Sequence, residues 1–383
     1  MVEEFLEEPV KKRPYYYQLD VMKAIAIAFV VLDHSLTWEI KGAMGSVFWE
    51  RLSIPFFLIV MGFNMGVSFQ YRGTSRLKDL YSIAYFKRKI KRYVLPFIIL
   101  YILSIILGIT FGYLDKSERL WLLFLPFWGP GNWFIPLLFG SILVFPIIYW
   151  MFDRYPIITV GLCFLSELIM QRLLWDLYPT AATEYDWFVI TAIRVNVLFF
   201  LPAVGIGLWF SRGYEPTRKR NQFIYPYLFI SMIFMIDYAT ISPVTRKGII
   251  GAIPNLIGDF FTFVQDFIRG DYTFLFYGYA AFLFLLFMMM IPQTASGDLQ
   301  KFIERVGKST YHILLFQIFW MSIVYWSIYQ SAVMQHEIPQ FMAELGWPSP
   351  LYYIPFYLLN VSVAFTGGMI WYEVERRVLY RKS

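Results

Sequence analysis

The chain has 383 residues, of which 58% are hydrophobic, 21% aromatic and only 16% charged, with a formal net charge of +6. A water-soluble domain of this length needs more polar surface than that, so the composition argues against a soluble enzyme and reads as an all-α polytopic membrane protein. No polar block is long enough for a second domain, and 1–383 reads as one transmembrane domain.

The opening stretch MVEEFLEEPVKKRPYYY is acidic, then basic, then aromatic. It lacks the order of a signal peptide, so residues 1–18 are expected to form a tail and the next apolar segment a retained helix. A spanning helix needs roughly 20 mostly apolar residues. Ten windows meet that need: 19–38, 53–70, 93–113, 132–152, 157–174, 187–210, 223–241, 273–292, 309–330 and 351–372. Two further apolar stretches do not fit a simple span. Pro126 and Pro130 interrupt 121–131, and Gly251, Pro254 and Gly258 interrupt 248–268. Both are expected to be interfacial or re-entrant, as a folded outer loop or as a substrate lid. Cys163 is the only cysteine, which excludes an intramolecular disulfide and a thiolate metal cluster.

Ten spans place both termini on one side. With the N-terminus inside, the inner segments, including the tail 373–383, carry 23 Lys and Arg against seven in the outer loops, among them Lys41 and Arg51. The positive-inside rule therefore puts both termini in the cytoplasm. The basic excess is a membrane-face property and does not point to nucleic acid, since no soluble module interleaves bases and aromatics.

The first span, KAIAIAFVVLDH in its middle, spends ionisable groups in an apolar segment, where they are costly and normally face the bundle interior. On a helix of 100° per residue, Asp20, Lys23 and His34 fall within roughly 60° of one another, and Lys23 and His34 lie about 16 Å apart along the axis. Asp20 and Lys23, at i,i+3, are placed to pair. Asp33 points about 100° away from His34. The stripe has a structural reading, with Lys23 snorkelling and Asp20 capping, and a functional one, with His34 as a general base.

Further along, 71–92 holds Arg72, Arg76, Lys78, Lys87, Arg88, Lys89, Lys91 and Arg92 against the single acid Asp79. Such a cluster serves membrane topology and contact with anionic lipids, and it also suits phosphate binding. Arg194 and Asn196 fall inside the sixth span, Arg194 as a ligand contact or as the partner of Glu167 or Asp237. Trp133 is a cavity-wall or interfacial aromatic, His312 an interfacial residue, and His336 an outer-loop residue. No Walker loop, dinucleotide glycine fingerprint, zincin helix or paired-carboxylate spacing occurs.

QLDVMKAIAIAFVVLDHS resembles the opening of acyltransferase family 3, the integral-membrane O-acyltransferases, in which Leu-Asp is followed by an arginine, ten residues and a histidine. Here these places are Leu19–Asp20, Lys23 and His34. SIPFFLIVMGF (53–63), FKRKIKRYVLPF (86–97), GNWFIPLL (131–138), GKSTYHILLFQ (307–317) and WYEVERR (371–377) are similar to later family segments, in family order. The chain departs from the family twice. Lys23 replaces an arginine and so lacks the planar fork, and Gln317 replaces a late histidine and cannot take a proton.

The resemblance implies transfer of an acyl group, usually acetyl from acetyl-CoA on the cytoplasmic side, to a hydroxyl of a carbohydrate or surface glycan at the plasma membrane. It implies His34, Lys23 and Asp20 as the catalytic set, by direct transfer or through an acyl-histidine, and Arg88, Lys89, Arg92, Arg194 and Trp133 as donor contacts, with no metal. Two other classes fit the same pattern. One is a transporter or flippase, which would consume no acyl-CoA; the other is a degenerate family member acting as a scaffold.

Overall fold

The computed structural model describes residues 14–36, 38–73, 76–110, 130–241, 248–254, 256–268, 272–329, 340–348 and 351–379. Among them there is no strand. In chain order the helices are α1 (Tyr17–Ser35), α2 (Trp38–Ala43), α3 (Ser46–Gln70), α4 (Leu77–Leu80), α5 (Ile83–Lys89), α6 (Leu95–Thr110), α7 (Phe134–Arg154), α8 (Pro156–Leu177), α9 (Glu184–Arg194), α10 (Leu201–Ser211), α11 (Ile224–Ala239), α12 (Leu256–Phe267), α13 (Phe274–Met290), α14 (Asp298–Tyr329) and α15 (Ile354–Leu379). A π-helical turn, Ile90–Val94, joins α5 to α6.

The described residues of each of the ten apolar windows lie largely on helix. Seven helical stretches among the described residues are long and apolar enough to cross a membrane by length and composition. The first, eighth and ninth windows fall on helices outside those seven. Asp20, Lys23 and Asp33 raise the charge of α1, α13 has only 17 residues, and the first half of α14 is polar. The sixth window is not one helix. It divides into α9 and α10, because Asn196 adopts an extended backbone and its side chain accepts from Leu198 N at 3.0 Å, opening a 3-10 turn over Val197–Phe200. A side chain that offers the backbone this bond competes with helix continuation. Thr183 and Asp186 form a capping box at the start of α9. Of the two interrupted stretches, 248–268 contains α12, and all of 121–131 except Pro130 and Gly131 lies outside the described residues.

α8 turns apolar side chains outward and polar ones inward. On α8, Ile158, Leu162, Leu165 and Ile169 are exposed while Thr159, Glu167 and Gln171 are fully buried. This reverses the pattern of a soluble amphipathic helix and requires apolar surroundings. The two buried acids on α8 and α11 satisfy backbone. Glu167 accepts from Phe274 N at 2.9 and 3.1 Å at the start of α13, and Asp237 accepts from Ile250 N at 2.7 Å and Gly251 N at 3.1 Å. Each carboxyl group thus supplies acceptors to backbone amides at the start of another helix or turn.

Between helices in an apolar solvent, close packing replaces the hydrophobic drive. α3 and α10 meet through glycines. Gly62 and Gly66 of α3 face the Val204 carbonyl and the Ser211 side chain, and Gly207 of α10 faces the Ile59 carbonyl and the Phe63 amide. A Cβ at any of these would overlap backbone or side chain. At Gly207 the neighbour is backbone on both sides, so no rotamer change relieves it. Gly207→Leu should therefore cost about 1–3 kcal/mol or more, read as a fall in the detergent-solubilised protein's melting temperature and loss of a monodisperse peak. A melting temperature equal to that of the unmodified chain would show that the helices do not approach this closely.

Candidate active site

Two clusters of ionisable groups lie at opposite ends of α1. At its C-terminal end a cavity of about 240 Å³ is lined by Asp33, His34, Lys41, Glu50 and Ser53, with Phe57, Trp133, Phe134 and Tyr272 among its apolar walls. The Lys41 Nζ lies 2.5 Å from Asp33 Oδ1, and Asp33 Oδ2 lies 3.4 Å from His34 Nδ1. The other ring nitrogen faces Gly131. That residue has φ of +91°, a backbone favoured by glycine, and a Cβ there would stand 3.5 Å from His34 Nε2 and 3.7 Å from Gln317 Oε1. The substitute for the late histidine is thus beside His34. Gln317 is fully buried and its Nε2 donates to the Pro130 carbonyl at 3.4 Å.

The position of His34 is held from behind. Ser35 accepts from Asn360 Nδ2 at 2.9 Å, and Asn360 Oδ1 accepts from Trp320 Nε1 at 2.9 Å, tying the end of α1 to α14 and α15. Each donor and acceptor in that buried chain has a partner, the condition under which a polar network adds rigidity. Trp133 stacks near Phe200 and Tyr272 in the cavity wall, with ring centroids 5.7 and 5.8 Å away.

At the other end of α1, Lys23 Nζ pairs with Asp20 Oδ1 at 2.6 Å, and Asp20 also accepts from the Tyr15 hydroxyl. α14 reaches this point through Gly307, whose missing side chain lets the helix lie against the Asp20 backbone. Lys23 also interacts electrostatically with Arg92 and Tyr93 of the π-helical turn. Lys89 Nζ sits 5.2 Å and Arg92 Cζ 5.4 Å from the centre of the Tyr93 ring. The Tyr311 hydroxyl donates to the Tyr93 carbonyl at 2.7 Å, linking the turn to α14. A π-helical turn has a wider repeat than an α-helix and re-aims the side chains that follow it. Here Lys89 and Arg92 both lie against the Tyr93 ring, with Lys23 of α1 close by.

Several sequence expectations land elsewhere. Arg194 is at the C-terminus of α9, where its Nη1 donates to the Tyr178 hydroxyl at 3.4 Å; it is not among the cavity-lining residues. Arg88 is an exposed neighbour of Lys89. The projection sets Asp33 apart from His34, but in the structure the two share the cavity. Both sit at the end of the helix, and Lys41 from α2 draws the carboxylate into place. Lys41 and Arg51, placed by sequence in an outer loop, are only 7% and 3% exposed. Arg51 donates to the Tyr238 hydroxyl at 2.8 Å and lies against the Tyr272 ring. His312 is buried, with Nε2 2.8 Å from Glu375 Oε2, and ties α14 to α15. His336 lies outside the described residues. Glu50, Ser53 and Asn360 were missed. Glu50 precedes the second window, and Asn360 is a single amide within an apolar one.

No curated protein and no solved structure matches the chain. A family model described as an acyltransferase domain matches residues 16–369, from just before α1 into α15 and so through both clusters. A bundle of apolar helices enclosing a cavity with a histidine, two carboxylates and a lysine is joined to that match over nearly the whole length, and the chain belongs to acyltransferase family 3, the membrane acyltransferases.

Proposed function

We propose that the protein is a multi-pass plasma-membrane O-acyltransferase that moves an acetyl group from cytoplasmic acetyl-CoA to a hydroxyl of a carbohydrate or surface-glycan acceptor. The observation that carries the reading is the course of α1. One helix runs from a cluster of cations at Lys23, Lys89 and Arg92 to a cavity where His34 presents Nε2. A CoA donor is long and thin and carries phosphates at one end and a thioester at the other. The roughly 16 Å between Lys23 and His34 along α1 suits such a molecule threaded between helices.

In this reading Lys89 and Arg92 hold phosphate oxygens, with Arg88 adding charge at the entry. Lys23, kept in place by Asp20, faces the donor. The acceptor hydroxyl lies in the cavity against the aromatic wall that includes Trp133. His34 Nε2 takes the hydroxyl proton as the oxygen attacks the thioester carbonyl carbon. The carbon–sulfur bond breaks, the acetyl group stays on the acceptor oxygen, and the imidazolium returns the proton to the departing thiolate. Arg194, held by Tyr178, has no part in this step. The basic segments face the cytoplasm, as the positive-inside rule requires.

His34→Ala in isolated membranes supplied with labelled acetyl-CoA should lower acetyl transfer by at least about 10²-fold, and unchanged transfer would remove His34 from the mechanism. Release of free CoA thiol in step with acetylated product separates transfer from transport, since a transporter releases none.

Replacing both Lys89 and Arg92 by alanine should raise the KM for acetyl-CoA about tenfold while kcat stays within about threefold, because the contacts lie on the donor's remote phosphates and hold ground and transition states alike. A fall in kcat at constant KM would place these cations at the reacting centre instead.

A further inference from the structure

The two nitrogens of His34 face different chemistry. Nδ1 lies 3.4 Å from Asp33 Oδ2, and Nε2 faces Gly131, which also neighbours the Gln317 amide. Which nitrogen carries the hydrogen in a neutral imidazole is set by the partner of the other. Only the nitrogen without hydrogen can take a proton from an acceptor. The charged groups acting on the ring are Asp33 from its own helix and Lys41 from α2, and Glu50 of α3 lines the same cavity.

We propose that Asp33 is the positioning residue for His34. It receives the Nδ1 hydrogen, so that Nε2 carries none, while Lys41, at 2.5 Å from the other carboxylate oxygen, keeps Asp33 in that pose. The proposal rests on the reading of His34 as the base. The 3.4 Å separation is longer than a tight hydrogen bond, and such contacts commonly shorten once substrate fills a site. A Lys41–Asp33 pair that served only to fasten α2 to α1 would stabilise the protein without selecting a tautomer. The two roles are therefore separable by experiment.

The chain has three histidines, so labelling with ¹⁵N-histidine gives a spectrum simple enough to read, with the His34 signals identified by their loss in His34→Gln. In the full-length protein in detergent, neutral His34 should carry its hydrogen on Nδ1. In Asp33→Asn, Lys41 donates and so takes the amide oxygen, which turns the NH₂ group toward Nδ1. His34 should then move its hydrogen to Nε2, and kcat for acetyl transfer should fall about 10–100-fold with the KM for acetyl-CoA within about threefold. A wild-type His34 with its hydrogen on Nε2 overturns the proposal, and that reading needs no variant to fold. So does an Asp33→Asn protein that keeps either the wild-type tautomer or the wild-type kcat. Should the wild-type protein transfer no acetyl group, the functional reading fails by itself, and the tautomer measurement still decides the role of Asp33.

Discussion

A charge taken out of water into an apolar bundle must find a partner, and α1 carries such groups at both ends. Asp20 is answered by Lys23 and Tyr15, and Asp33 by Lys41. Breaking such a pair by removing one member typically costs about 3–5 kcal/mol, more than a small-residue contact contributes. The surrounding elements are arranged to meet that need. α14 comes close enough to Asp20 only because residue 307 is glycine, and α2 folds back over the end of α1 so that Lys41 reaches Asp33.

The same constraint explains why the two ends of α1 differ. At the Lys23 end, Lys89 and Arg92 lie against the Tyr93 ring and Lys23 is held by Asp20, so cations outnumber the acid they surround. At the His34 end, carboxylates and a lysine balance one another beside an imidazole, and aromatic side chains close the wall. A helix with like clusters at both ends would have no direction. In the proposed reading, this direction matches a donor whose charge and reactive bond lie at opposite ends.

Other polar groups inside the bundle hold the frame rather than the cavity. Glu167 and Asp237 accept from backbone amides, His312 meets Glu375 between α14 and α15, and Asn360 joins Ser35 to Trp320. With apolar side chains outside as well as inside, these bonds and the glycine contact of α3 with α10 set which helix faces which. The rigidity matters for His34, because the residue after it, Ser35, is one end of the Asn360 bond.

Much of this was legible in the residues alone. Composition and span length gave the helical membrane class, because a bilayer demands long apolar segments whatever the fold. The family segments, in order, carried the acyltransferase resemblance. Helical geometry paired Asp20 with Lys23, since i,i+3 neighbours meet on any α-helix. What the tertiary structure decided are the contacts between segments far apart in the chain. The burial of Lys41 and Arg51, the pairing of His312 with Glu375, and the place of Gln317 and Gly131 beside His34 all depend on such approaches. Asp33 shows why most plainly. A helical projection counts angles on one isolated cylinder, and it set Asp33 apart from His34. A side chain at the end of a helix, drawn by a lysine from another element, follows the charge.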